Sequence, residues 1–253
     1  FGGYPWRYYH ALGHLTTSDL VQSYYTYWQR IIPISKKDEA YSSTFKEKVV
    51  TYQLFSLVED MLDWTSVDVA NAESCINAAM KFEAKTFLHG LFIVEDKINM
   101  AHSVENRVPF LDNDLVDFAL TLPLSVKLRN GKQLLSMAPE ETSLLSGKYV
   151  TSTDGKILLR EGLQKYLPPE ILFGVKKGFS APLASWMRTD LRSYIESILL
   201  PSSKEFKKIY SIVNRCFIEK IWEEHLLGKE DHRLLLWSLL YLQLWFEVWE
   251  PEF

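Results

Sequence analysis

Three strings in this chain combine residue types and spacings that could do chemistry. Phe1-Gly2-Gly3-Tyr4-Pro5 carries two adjacent glycines, which let a backbone approach a ligand or a neighbouring helix closely. Taken alone, such a pair is an ordinary turn. The segment from Asp96 to Asp112 gathers Asp96, Lys97, Glu105, Arg107 and Asp112 around Val108-Pro109-Phe110-Leu111. Pro109 drives Val108 towards an extended conformation, so Glu105 and Arg107 are expected at a helix exit, where side chains can face a cleft. The bland alternative is a structural ion pair at a helix end. Gly174 to Pro182 holds Lys176 and Lys177 in a glycine-bounded turn. Two ammonium groups there suit a phosphate or pyrophosphate through charge-assisted hydrogen bonds, or they are simply solvated.

The other reactive types suggest less. His10 and His14 lack the intervening glutamate of a metalloprotease helix and read as packing residues. Cys75 and Cys216 lie far apart and make neither a disulfide framework nor a zinc cluster. No metal-ligand set is expected. The 253 residues carry 28 Lys and Arg against 32 Asp and Glu, a net charge of −4. That balance argues against a nucleic-acid partner, which selects a basic excess or stripe. No apolar run reaches the roughly 18 residues of a membrane span, and no secretory signal is evident. A reducing, cytoplasmic setting is the expectation.

Helical periodicity must position these strings. Ser18 and Asp19 are expected to cap a helix running towards Pro33. Further helices are expected over about 37–64 and 73–94, from an Asp112 or Asn113 cap to Pro123, and from Asp154 to Pro168. Pro169 should open a short turn. Other helices should cover 182–200, 204–227 and 231–248. The last of these, His232 through Trp245, reads as a core helix with no chemistry. Val126 to Arg129 with Asn130-Gly131 suggests a hairpin, and Tyr149 to Thr151 a further strand. The polar stretch Ser136–Ser152 reads as a long loop. The expected class is mainly α.

In this order, the strings resemble the synthetase domain of glutamine-dependent asparagine synthetases. The resemblance rests on FGGY at 1–4, MAHSVENRVPFLD at 100–112, LLREGLQKYLPPEI at 158–171, KKGFSAP at 176–182 and RLLLW at 233–237. It covers the chain from end to end, and its central thirteen residues are the most specific part. It implies that residues 1–253 are the helical C-terminal part of an α/β PP-loop synthetase domain. The strands, the phosphate loop and the N-terminal glutaminase domain would precede Phe1, and an apolar flank of this piece would face the sheet. The implied chemistry is ATP-dependent adenylation of a carboxylate, then amidation by glutamine-derived ammonia. ATP and Mg2+ are the implied cofactors, the glutaminase domain the implied partner, and a homodimer one assembly open to it. Lys176 would contact the pyrophosphate as the catalytic cation. Arg107 would lie at the acceptor pocket, oriented by Glu105, with Asp96 beside it. Lys177, Gly3 and Tyr4 would border the nucleotide.

Two features depart from the family. Lys97 stands where the family has arginine. Leu91 to Val94 is apolar where asparagine synthetases place an acid and a base for aspartate. The resemblance therefore leaves three readings: an asparagine synthetase, a relative that amidates another carboxylate or closes a ring, and a catalytically silent helical scaffold.

Overall fold

The computed structural model describes residues 2–29, 31–49, 54–129, 155–174, 181–202 and 206–251. Its α-helices, in chain order, are α1 (Pro5–Tyr9), α2 (Thr17–Trp28), α3 (Lys37–Ala40), α4 (Ser43–Val49), α5 (Leu54–Met61), α6 (Ala72–Glu83), α7 (His89–Ala101), α8 (Asn113–Thr121), α9 (Leu124–Lys127), α10 (Ile157–Gly162), α11 (Pro169–Leu172), α12 (Leu183–Arg188), α13 (Arg192–Leu199), α14 (Arg215–Leu226) and α15 (Arg233–Trp249). Among the described residues, extended pairing is limited to two antiparallel bridges, Tyr41 with Val213 and Leu128 with Gly155. The mainly helical expectation holds for this piece. The chain divides into two compact units, residues 1–27 with 54–176 and residues 28–53 with 177–253.

The first unit is organised by one helical rod. Asn71 starts it, its side chain accepting from the amides of Glu73 and Ser74 at 2.9 and 3.3 Å. This is the capping role for which asparagine is suited. α6 then continues through a single π-helical segment, Ala84–Leu88, into α7. The rod runs from Ala72 to Ala101, about 45 Å at the α-helical rise, and is longer than the expected 73–94. α1 packs on α6, and Tyr9, Leu20, Tyr24, Ile76 and Phe82 are buried in this unit. The cap of α2 is Thr16, two residues before the expected Ser18. Thr16 Oγ1 accepts from the Asp19 amide and the Asp19 carboxylate accepts from the Thr16 amide, at 3.1 and 3.2 Å, a reciprocal capping box. Leu91, Val94, Ile98, Phe110 and Phe118 are exposed along α7 and α8.

The strand expected from Val126 is replaced, among the described residues, by a helical turn. Leu124–Lys127 is a helical turn whose leading amide donates to Glu73 Oε1 at 2.7 Å, and Leu128 pairs with Gly155. Residues 130–154, with the expected return strand, the strand at Tyr149 and most of the loop, lie outside the described residues.

The second unit has a conventional apolar core. Met187, Ile195, Leu199, Ile209, Ile218, Leu236 and their neighbours form one buried cluster. α13 and α14 pack on α15, which confirms the core-helix reading of His232–Trp245. The helix expected over about 37–64 is broken within this unit. Tyr41 turns extended to pair with Val213, Ser42 N donates to the Ile212 carbonyl at 2.9 Å, and Ser42 Oγ then accepts from Phe45 N at 3.1 Å to start α4. The same pairing divides the segment expected over 204–227.

His225 is fully buried on α14. Its Nδ1 accepts from the His232 amide at 3.2 Å, a role open only to the unprotonated nitrogen. Burial holds this imidazole below the ordinary histidine range, and Arg188 adds to the effect. Because the folded form binds the proton less readily than the unfolded chain, folding stability falls as pH drops below about 6.5. Glu224, held low by its hydrogen bond to His232, contributes a further loss at more acidic pH. Denaturant titrations at pH 7 and pH 5 should show a smaller acid loss for His225→Asn, which retains an acceptor, than for the unsubstituted protein. Equal losses would mean that His225 does not titrate on unfolding.

Candidate active site

The double-glycine turn is held by close packing. Gly2 has φ +69°, and a Cβ there would press against Leu128 Cδ2 at 3.0 Å and the Lys127 carbonyl oxygen at 3.3 Å. A Cβ on Gly155 would overlap the Gly2 carbonyl oxygen. Both positions therefore need glycine, the first for its backbone conformation and the second for space. Below this turn, burial holds the Lys127 ammonium under the ordinary lysine range, opposed by the Glu73 carboxylate.

Tyr4 leaves the turn with its ring edge-on to Phe87, centroids 5.8 Å apart. Phe87 lies in the π-helical segment, a geometry that concentrates at functional sites. Nine residues further along the rod, about 14 Å at the helical rise, stands Asp96, exposed on α7. The rod ends at Ala101, and Ser103 takes φ +57° to redirect the chain. Glu105 and Arg107 follow, as expected for a helix exit. Their side chains pair at 2.9 Å and are 70% and 80% exposed. They are not enclosed in a pocket by the described residues. Asp112 is a helix cap, its carboxylate accepting from Leu115 N at 3.1 Å. The structure thus sets Gly3, Tyr4, Asp96, Glu105 and Arg107 along one rod and its exit. Lys176 and Lys177 lie outside the described residues.

One lysine was missed by sequence reasoning. Lys156 has φ +61°, and its Cε stands 3.3 Å from where a Cβ on Gly3 would lie. The available signal was its place just before the Leu158-Leu159-Arg160 string. Lys156, Lys127 and Arg7, whose guanidinium lies 4.4 Å from the Tyr4 ring centroid, border the turn. This surrounding suits an anionic phosphate. It does not suit a divalent cation, so no residue of this chain is assigned to magnesium. Among the described residues, the potential ligands gathered closely are Glu224, Glu230 and His232. They lie in the second unit, where His232 bonds Glu224 at 2.7 Å and Lys36 approaches Glu230 at 3.5 Å, an ion-pair network.

A family model described as asparagine synthase matches residues 1–249. The chain belongs to the asparagine synthase family. Among curated relatives of this family member, asparagine synthetase [glutamine-hydrolyzing] 1 of Bacillus subtilis is 24% identical over 180 residues, 71% of this chain and 24% of that protein. Asparagine synthetase [glutamine-hydrolyzing] 3 of the same organism is 22% identical over 271 aligned positions, covering 100% of this chain and 37% of that protein. Amidase chyE of Penicillium rubens is 30% identical over 110 residues, 44% of this chain and 14% of that protein. The chain spans about a quarter of the length of the first of these. No solved structure matches it. Among the described residues, no helix is long and apolar enough to cross a membrane.

An exposed ion pair contributes at most about 1 kcal/mol to stability. Glu105→Gln should therefore leave the chemical unfolding free energy within about 1 kcal/mol of the unsubstituted protein. A loss of several kcal/mol would identify the Glu105–Arg107 pair as a structural brace instead of a site element.

Proposed function

We propose that this chain contributes the C-terminal part of the synthetase domain of a glutamine-dependent asparagine synthetase-type amidotransferase. The observation that carries this reading is the packed Gly2–Gly3 turn with Lys156 against it. Such a turn brings backbone and a cation together where phosphate oxygens can approach. In the reaction, a carboxylate oxygen attacks the α-phosphorus of ATP. The bond to the bridging oxygen breaks, pyrophosphate leaves and an acyl-adenylate forms. Ammonia then attacks the acyl carbon and AMP leaves, giving the amide. Magnesium would be held by groups other than the described residues, and would supply charge neutralisation to the phosphates. Lys176 and Lys156 are assigned to the phosphates, Lys177, Gly3 and Tyr4 to the border of the nucleotide, and Arg107 to the acceptor carboxylate, for which a planar guanidinium is suited. Glu105 orients Arg107 through their ion pair, and Asp96 lies beside that pocket on α7. The adenylate is readily hydrolysed, so the site must exclude water. The exposure of Glu105 and Arg107 implies that other parts of the protein cover them. The glutaminase domain supplies ammonia, and the setting is cytoplasmic.

Aspartate is the first acceptor to test. A second reading, amidation of another carboxylate, is favoured by the apolar Leu91–Val94 stretch. Full-length protein supplied with ATP, magnesium, glutamine and aspartate should form asparagine, AMP and pyrophosphate in equal amounts. AMP formation without asparagine, dependent on a different carboxylate, would replace aspartate as acceptor. No carboxylate-dependent pyrophosphate release at all would sink the adenylation reading. Lys176→Ala and Lys156→Ala should each lower amide synthesis by about 100-fold or more, the usual effect of removing one transition-state donor, and leave glutaminase activity intact.

A further inference from the structure

Arg7 is almost fully buried, at 6% exposure. It sits in α1, immediately after the double-glycine turn, and faces three groups in its own unit. Its guanidinium lies 4.4 Å from the Tyr4 ring centroid and 4.0 Å from that of Phe87. Its Nη1 stands 3.7 Å from a carboxylate oxygen of Glu83, the last residue of α6. Glu83 is also buried and accepts from the Tyr24 hydroxyl at 3.3 Å. The adjacent Tyr8 hydroxyl accepts from the Tyr4 amide at 3.3 Å. Burial, reinforced by the Glu83 charge, keeps the Tyr8 phenol well above its ordinary range and so protonated.

A buried ion pair is a poor source of stability. Desolvation of both charges offsets their attraction, and an apolar pair of similar volume often serves equally well. What the pair supplies here is geometry. A planar guanidinium against two rings, with its charge drawn towards Glu83, holds Tyr4 and α1 at one place on the rod. That place is the π-helical segment, where the register of α6 passes into α7.

We propose that Arg7 is a positioning residue for the nucleotide site, fixing the Gly2–Tyr4 turn to the α6–α7 rod through Tyr4, Phe87 and Glu83. This inference rests on the reading of that turn as a nucleotide contact. Arg7 need not touch ATP to act. Losing it lets the turn drift along the rod and separates Gly3 and Tyr4 from the residues carried at the far end. Lysine keeps the charge but not the planar face, so it should restore position only in part.

The test uses the full-length protein and its Arg7→Met, Arg7→Lys and Arg7→Met/Glu83→Gln variants. Arg7→Met should raise the KM for ATP about tenfold while kcat changes less than about threefold, the pattern of lost binding geometry. Arg7→Lys should fall between it and the unsubstituted protein. The double variant removes both buried charges. It should regain the thermal midpoint of the parent but keep the raised KM. A purely structural brace would instead lower the midpoint and the active fraction with KM unchanged, and that result overturns the proposal. Hydrogen exchange gives a readout independent of activity. Amides of residues 2–9 should exchange faster in Arg7→Met, and those of α8 and α15 at parental rates. Unaltered exchange in residues 2–9 also overturns it. If Arg7→Met alone does not fold, the double variant carries both measurements. If the parent releases no pyrophosphate with any carboxylate, the functional reading fails, and exchange still decides whether Arg7 positions the turn.

Discussion

A guanidinium buried between two aromatic rings and a carboxylate is the constraint on which the first unit depends. Arg7 contacts a turn, a short helix and a long rod at one place. Apolar packing of Tyr9, Leu20, Tyr24 and Ile76 drives the elements together, but hydrophobic attraction is not directional. The charged contact adds direction. It does so at the π-helical segment, where an extra residue per turn shifts the faces of α6 relative to those of α7. Lys156 also reaches the turn, where Gly155 allows the two backbones to approach.

The second unit solves a different problem. Its core is almost wholly aliphatic and aromatic, and several of its buried polar groups bond to backbone. Gln243 accepts from the Ile209 amide at 3.0 Å and donates to Glu247 at 2.9 Å. His225 accepts from the His232 amide, and Arg188 Nε donates to the His225 carbonyl at 2.8 Å. Such satisfied polar contacts fix register inside an otherwise permissive apolar cluster. One of these fixing contacts needs a neutral imidazole, which is the physical source of the acid sensitivity expected of this unit.

Family membership gives these two units a chemical context but not a finished site. Glu105 and Arg107 pair in the open, and Asp96 is exposed on the same rod. The proposed acyl-adenylate needs a dry enclosure, which the described residues do not form around Glu105 and Arg107. The exposed apolar side chains of α7 and α8 have the same requirement, since contiguous apolar surface is ordinarily covered.

Local signals were legible in the sequence wherever a single residue decides the backbone. Pro169 opens α11, Asp112 caps α8, and the apolar run after His232 is a buried helix. Order and spacing of the FGGY and MAHSVENRVPFLD strings were enough to indicate the family. Periodicity failed where a distant partner competed for the backbone. Val213 draws Tyr41 out of helix, and Glu73 draws the Leu124 amide into one. Nor does periodicity register a π-helical segment, because the apolar pattern survives one extra residue. The nearness of Lys156 to Gly3, and the burial of Arg7 beside Glu83, arise from residues more than seventy positions apart. The amino-acid order alone determined which residues could carry charge and where helices could begin. Only tertiary packing decided which charges are desolvated and which meet water, because the dielectric around a side chain is set by neighbours remote in sequence.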